Sequence, residues 1–315
     1  MITKTVYANR SEWLAARNEK PVIGSSDVAT IMGLNPYCTP YQYWLKLKDV
    51  RQFEEENERM LQGQYMEDAI AKLFEARTGE RIIKRSSEIA VFRNDKYPDY
   101  VQVAPDRELF AKGRETRLIA EIKDTRLYIT QDELDAGENL PASWHAQLTY
   151  QMGVMERSSA YLVVMNGNKE LVYREFPFDP EYFAHIIEYC CEWFEAYILG
   201  NEIPPVETKE DVELRWPVSE PKSRKVVGDD IHKTYALLKD KKKVLKILVG
   251  QIDELENKLR IVFEDNEALT HNGNDIATYK TVIQSRIDTK RLKEDHPEIV
   301  EKYLSKTSFR QLRLK

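Results

Sequence analysis

The run Leu118-Ile119-Ala120-Glu121-Ile122-Lys123 constrains this chain most, because it places an acid and a lysine two residues apart inside an otherwise apolar, strand-forming stretch. On an extended backbone successive side chains alternate between faces, so Glu121 and Lys123 point one way and Ile122 the other, into a core. Upstream, Val101 and Val103 precede a polar connection that contains Gly113. The span Val101–Thr125 therefore reads as two strands joined by a loop. Asp106, directly after Pro105, is expected to arrive from the neighbouring strand.

Two carboxylates that converge within a few ångströms repel each other unless a divalent cation lies between them. Hard oxygen donors of this kind suit Mg²⁺ or Mn²⁺. A lysine beside such a pair can orient or help deprotonate a metal-bound water, or offset charge developing on a phosphate, which is the outline of a metal-dependent phosphodiesterase site. The tripeptide alone carries little information in a chain that is 32% charged, and the same pattern recurs at Glu207/Lys209 and Glu256/Lys258. Those two are decoys: Glu207 follows Pro204-Pro205 and Glu256 lies in a long helical pattern, so neither has an acid-bearing strand beside it.

A chain of 315 residues with 42% hydrophobic content suffices for one large core and an appendage. It holds no apolar run of membrane-spanning length, and MITKTVYANRSEW has no apolar signal core, so the cytoplasm is the expected compartment. Cys38, Cys190 and Cys191 are too few and too badly spaced for a disulfide framework, a four-cysteine metal site or an iron–sulfur cluster. The formal net charge of −6 is uneven: residues 221–315 carry 21 Lys+Arg against 15 Asp+Glu, which leaves −12 on residues 1–220. The basic third is either a surface for phosphate backbone or a charged, solvated helix.

In chain order, a capped helical turn is expected over Ser11–Arg17, then a helix start at Gly24-Ser25-Ser26-Asp27 with Val28, Ile31 and Met32 on its apolar face. Unpaired N–H groups at that start, serine hydroxyls and a nearby arginine make a phosphate pocket, with ordinary capping the other reading. Gly33 ends this helix, Thr39-Pro40 begins the next, and Glu54–Arg77 is helical up to a stop at Gly79. Glu67 flanks the apolar face formed by Met66, Ile70, Leu73 and Phe74. A helix follows Pro141 with Gln147 on its side. A hairpin then spans Ala160–Met165 and Glu170–Phe176, and a helix over Pro180–Leu199 closes the core. This order predicts an α/β fold, a mixed sheet flanked by helices. Pro204 to about Asp230 reads as a linker. Beyond it Ile231, Leu238, Leu245, Ile252 and Leu259 mark a long amphipathic helix whose stripe needs an oligomer or partner contact, followed by a turn at Asn272-Gly273 and a helix near Glu298–Leu304.

Trp13-Leu14-x-x-Arg17, Ile23-Gly24-Ser25-Ser26-Asp27, Gly33-Leu34, Gly63-x-x-x-Glu67, Pro105-Asp106, Glu121-Ile122-Lys123 and Ala146-Gln147-x-x-Tyr150-x-Met152 together resemble the ordered motifs of the YqaJ-type viral recombinases. These are relatives of phage lambda exonuclease among the restriction-endonuclease-like P-D…(D/E)-x-K nucleases, and the resemblance covers about residues 10–200. It implies a restriction-endonuclease-like core over residues 1–205, a linker over 206–228 and a mainly helical, basic extension over 229–315. It also implies a Mg²⁺-dependent 5′–3′ exonuclease, with Mn²⁺ able to substitute. Such an enzyme resects linear double-stranded DNA and leaves 3′ overhangs for a RecT-type single-strand annealing protein. By position, Asp106, Glu121 and the Ile122 carbonyl would bind metal. Lys123 would be the catalytic lysine, Glu67 would orient water or reach a second ion, and Gln147 would brace the site. Arg17 and Ser26, with Ser25 beside them, match the holders of a terminal 5′-phosphate; the spacing from Arg17 to the Gly-Ser-Ser segment is a few residues longer than in lambda exonuclease. A homotrimer and a phage or prophage source in a bacterial host follow from the same resemblance. The rival readings are a nuclease of other polarity or an endonuclease, and a catalytically silent DNA-binding recombination protein.

Overall fold

The structure, a computed structural model, describes residues 1–48, 58–83, 89–110, 117–167, 169–306 and 308–314. Two compact units divide between Val212 and Glu213. Residues 1–48 hold β1 (Ile2–Tyr7), α1 (Arg10–Glu19), α2 (Ser25–Ile31) and α3 (Pro40–Lys48). The Asn9 side chain caps α1 by accepting from the Glu12 N–H at 2.9 Å, and the Glu12 carboxylate accepts in return from the Ala8 N–H at 2.7 Å. Gly33 terminates the following helix at φ +70°, a left-handed conformation that glycine adopts without a Cβ clash.

Helix α4 (Glu58–Thr78) leads into β2 (Arg81–Ile83), β3 (Ile89–Asn94), β4 (Arg107–Phe110) and β5 (Arg117–Asp124). The expected helical stretch 54–57 and the connection 111–116 around Gly113 lie outside the described residues. Next come α5 (Gln131–Ala136), α6 (Ala142–Val154), β6 (Ser159–Met165), β7 (Leu171–Pro177) and α7 (Pro180–Phe194), which runs on as a π-helical turn over Glu195–Leu199. The main sheet has the order β2-β4-β5-β6-β7; its only parallel neighbours among the described residues are β5 and β6, joined through α5 and α6. Strands β1 and β3 pair separately and antiparallel.

Alternation along β5 divides the core. Leu118, Ala120 and Ile122 pack with Ile70, Ala71 and Phe74 of α4, whereas Ile119 belongs to a larger cluster with residues of α2, α6 and α7. Gly153 lets α6 approach α7 closely, because a Cβ there would lie 2.2 Å from the Phe183 ring. This is the α/β arrangement read from the order of the elements.

Two strand expectations shift. Val101 and Val103 form isolated bridges to Ile23 and Phe92, and Asp106 sits just ahead of β4 rather than within a strand. Pro105 accounts for the break, since it has no N–H to donate and the β4–β5 ladder begins after it at Arg107.

Within the stretch read as a linker lies α8 (Lys209–Arg215). Its Asp211 is fully buried and accepts from the Thr39 hydroxyl at 2.8 Å and the Gln42 amide at 2.9 Å. In the second unit, α9 (Asp229–Phe263) precedes an antiparallel pair, β8 (Ala268–His271) and β9 (Asn274–Thr278), turned by Asn272 and Gly273 at φ +49° and +80°. Two short helices follow, α10 (Thr289–Asp295) and α11 (Pro297–Tyr303). No described helix is long and apolar enough to cross a membrane.

Candidate active site

Strand β5 delivers Glu121 and Lys123 to one face, as the alternation requires, and α6 covers that face with a pair of amides. Glu121 is 2% exposed. Its Oε1 accepts from Lys123 Nζ at 2.7 Å and from Gln147 Nε2 at 2.6 Å, and its Oε2 accepts from Gln151 Nε2 at 2.7 Å. Lys123 Nζ also donates to Gln147 Oε1 at 2.9 Å, which closes a ring of three side chains. Gln147 and Gln151 are one helical turn apart on α6 and reach the two oxygens of one carboxylate. Gln151 is completely buried, and its Oε1 has no hydrogen-bond partner.

Asp106 enters from the β4 side, where its Oδ2 accepts from the Ile122 N–H at 2.8 Å. Burial, reinforced by the charges of Glu121 and Glu67, lifts its carboxyl well above the usual range for an aspartate. Lys123 is drawn down by burial, but Glu121 and Asp106 outweigh that and hold its ammonium above the ordinary value. Glu67 comes from α4. It pairs with Arg107, which also holds Asp68 at 2.6 Å, and burial nevertheless raises the Glu67 carboxyl. The side chain of Arg107 is 10% exposed, so this clamp sits at the buried junction of α4 with the head of β4.

A cavity of about 160 Å³, open to solvent, joins this cluster to the N-terminal motifs. Its lining includes Asp106 and Gln147 together with Arg17, Gly24, Ser25 and Ser26. Arg17 stacks over the Trp13 ring at 5.1 Å and bonds Asp27 at 2.5 Å, and Asp27 accepts in addition from the Gly24 N–H at 2.8 Å. The charge of Asp27 raises the Arg17 guanidinium further above its normal value, so it stays cationic. The Ser25 hydroxyl is buried without a hydrogen-bond partner, while Ser26 is exposed.

All the residues singled out from sequence thus fall around one cluster and one cavity. Arg107 and Gln151 were missed. Arg107 directly follows Asp106, and Gln151 repeats Gln147 at the helical step of four, so spacing was the available signal for the second. The decoys stay apart from any such cluster: Glu256 pairs with Arg260 on α9, and Glu207 offers its N–H to Asp211 at 3.1 Å. Among the described residues, no three His, Cys, Asp or Glu side chains stand ready to hold an ion, because Glu67 is turned to Arg107 and Glu121 is held by the amides and Lys123. Among the described residues Cys38, Cys190 and Cys191 form no disulfide.

The chain is similar to several known proteins. Among solved structures, an alkaline exonuclease from Laribacter hongkongensis is 19% identical with a TM-score of 0.46, over 59% of this chain and 91% of that one. A phage-related exonuclease from Haemophilus somnus 129PT is 14% identical with a TM-score of 0.38, over 56% and 95%. The protein YqaJ of Bacillus subtilis (strain 168) is 30% identical over 325 residues, spanning 100% of this chain and 97% of that protein. The profile of the YqaJ-like viral recombinase domain matches residues 12–158, the stretch that carries Arg17, Ser25, Ser26, Glu67, Asp106, Glu121, Lys123 and Gln147. The chain belongs to the YqaJ-like viral recombinase family.

Proposed function

We propose that this chain is a deoxyribonuclease of the alkaline-exonuclease type, which hydrolyses phosphodiester bonds of linear double-stranded DNA from an end. The observation that carries the reading is the cavity lined by both Asp106 and Arg17. It sets the acid cluster beside a cationic, hydroxyl-lined recess of the kind that takes a terminal phosphate.

The donor set fits a hard divalent cation. Glu67, Asp106 and Glu121 act on one another across the cluster, and burial, with the charges of Glu121 and Glu67 added to it, raises the Asp106 carboxyl, which a divalent cation would relieve. Asp106 and Glu121, with the Ile122 carbonyl, would hold Mg²⁺ or Mn²⁺, and Glu67 would serve a second ion or orient water after leaving Arg107. When bound, such ions supply an activated water and neutralise charge on the scissile phosphate. Within the chain, Gln147 and Gln151 fix both oxygens of Glu121, so the carboxylate enters the reaction already oriented. Lys123 keeps its proton and is placed to stabilise charge growing on the phosphate oxygens. Arg17 and the Ser25 and Ser26 hydroxyls would seat the 5′-phosphate of the strand being degraded.

Family resemblance supplies the remainder of the reading. Digestion runs 5′ to 3′ and leaves 3′ overhangs for a RecT-type annealing protein, the nuclease core is a homotrimer, and the protein works in the cytoplasm of a bacterial host from a phage or prophage gene. Residues 206–228 act as a linker and 229–315 as an extension for oligomer or partner contact.

The test is digestion of linear and closed circular duplex DNA with Mg²⁺, using 5′-phosphate and 5′-hydroxyl ends. Loss of linear DNA alone, faster with 5′-phosphate and with that preference reduced in Arg17→Ala, is the expected result. Cleavage of circles would replace it with an endonuclease, and inactivity in both Mg²⁺ and Mn²⁺ would leave a silent DNA-binding protein.

A further inference from the structure

Arg107 is a cation that the acid cluster already holds on its α4 side. It follows Asp106 directly in sequence, and its guanidinium turns back onto the site. Nη1 donates to the Glu67 carboxylate and to the Asp106 backbone carbonyl, and Nη2 donates to Asp68 Oδ1 at 2.6 Å. The side chain is 10% exposed, and its buried Nε has no hydrogen-bond partner among the described residues, so the hold on this group comes from two carboxylates and one carbonyl.

The two carboxylates differ in what surrounds them. Glu67 and Asp68 are neighbours on α4, whose side chains leave the helix axis about 100° apart, so the guanidinium bridges the gap between them. The Glu67 side chain is 29% exposed and lies within electrostatic reach of Asp106 and Glu121, whereas that of Asp68 is 40% exposed. A divalent cation bound by Glu67 would take the oxygens that now accept from Arg107, and the two cations repel each other at that range. The guanidinium therefore has to move before Glu67 can serve an ion. Asp68 lets it do so without becoming an unpaired buried charge, because the other half of its fork stays engaged.

We propose that Arg107 is a positioning residue that occupies Glu67 in the metal-free chain and competes with a second divalent cation for it, with Asp68 as the pivot that keeps the guanidinium paired when Glu67 is released. The inference rests on the reading of this cluster as a divalent-cation site and deepens it: the occupancy of the second site is set by a side chain of the protein as well as by the supply of metal.

Binding of Mn²⁺ to the full-length chain without DNA, followed by loss of the free-ion signal in electron paramagnetic resonance, reads this competition without any turnover. The parent is expected to bind in a tighter and a weaker step. Arg107→Gln should lower the dissociation constant of the weaker step about tenfold and change the tighter one much less, and a second step seen only in this variant is the same result. Asp68→Asn, which removes the pivot, should raise that constant severalfold. Lys72→Gln, at an exposed position four residues beyond Asp68 on α4, loses the same charge as Arg107→Gln and should leave both steps unchanged, which separates competition at Glu67 from a general change of field. If Arg107→Gln does not fold without metal, Arg107→Lys takes its place: it keeps the charge, but an ammonium lacks the fork that spans two carboxylates, so the weaker step should tighten by less. An unchanged or weaker second step in the Arg107 variants, or an equal shift in Lys72→Gln, would overturn the competition and leave the metal site standing. An Asp68→Asn chain with the parent's affinity would overturn the pivot. A parent that binds no Mn²⁺ would remove the metal site itself, and this inference with it.

Discussion

The tripeptides Glu121-Ile-Lys123 and Glu256-Asn-Lys258 have the same charged ends in the same chain but opposite fates. On β5 the two ends share a face, the carboxylate is 2% exposed, and the pair meets at 2.7 Å beneath two amides. On α9 residues i and i+2 point about 200° around the axis from each other. Glu256 turns instead to Arg260 four residues on, in an ion pair whose side chains are 50% and 43% exposed. A pair of that exposure contributes about 0.3–0.5 kcal/mol, whereas the β5 pair belongs to a buried network in which removing one member strands the others. The chemistry of the pattern therefore comes from its element and what packs on it, not from the residues alone.

The largest expected effect is that of Glu121→Ala. Loss of a ligand and of the acceptor for Lys123, Gln147 and Gln151 should lower the rate of DNA digestion by at least about 10³-fold, equivalent to several kcal/mol of lost transition-state stabilisation. Retention of more than a tenth of the wild-type rate would remove Glu121 from the site. Next is Gln151→Leu, which keeps the volume but frees one carboxylate oxygen. A loss of about 10–100-fold is expected, with a higher Mg²⁺ concentration needed for half-maximal rate, as for residues that orient metal ligands. An unchanged Mg²⁺ requirement would reduce Gln151 to a packing role.

Asp106→Asn sharpens the comparison through stability. The Asp106 carboxyl is raised by burial and by Glu121 and Glu67, so its proton is bound more tightly in the folded than in the unfolded chain. Stability from this group is therefore fully present below the unfolded value and is lost as pH rises through the folded one. Without divalent cations, Asp106→Asn should melt higher than the parent at neutral and alkaline pH, by about 2–4 °C for each kcal/mol of repulsion relieved, with the gap closing in acid. An equal or lower melting temperature at pH 8 would mean that the cluster is already compensated. The smallest effect belongs to Lys258→Ala, the counterpart of the Lys123 position. It should leave DNA digestion unchanged and stability within about 0.5 kcal/mol by chemical denaturation; a marked loss of digestion would break the contrast between the two tripeptides.

Local physics made much of the molecule readable in advance. Period-2 alternation located β5 and the β6–β7 hairpin, apolar spacing located α6, α7 and α9, and Gly33, Gly79 and Asn272-Gly273 marked stops and a turn through their positive φ. What failed to show was whatever depends on distant segments meeting. Arg107 gave no signal because its partners, Glu67 and Asp68, lie about 40 residues away on α4. The local pattern puts Asp106 on a strand and carries no sign that Val103 bonds β3 instead.

The sequence by itself determined which side chains could act together within one element: Glu121 with Lys123 on a strand face, and Gln147 with its neighbours on a helix. These follow from backbone periods that every residue imposes on the next. Only the tertiary structure decided that α6 lays Gln147 and Gln151 over Glu121, that α4 brings Glu67 to Arg107, and that Arg17 shares a cavity with Asp106. Those meetings depend on how hydrophobic faces are buried against one another across the sheet, a non-local balance that no short stretch of sequence contains.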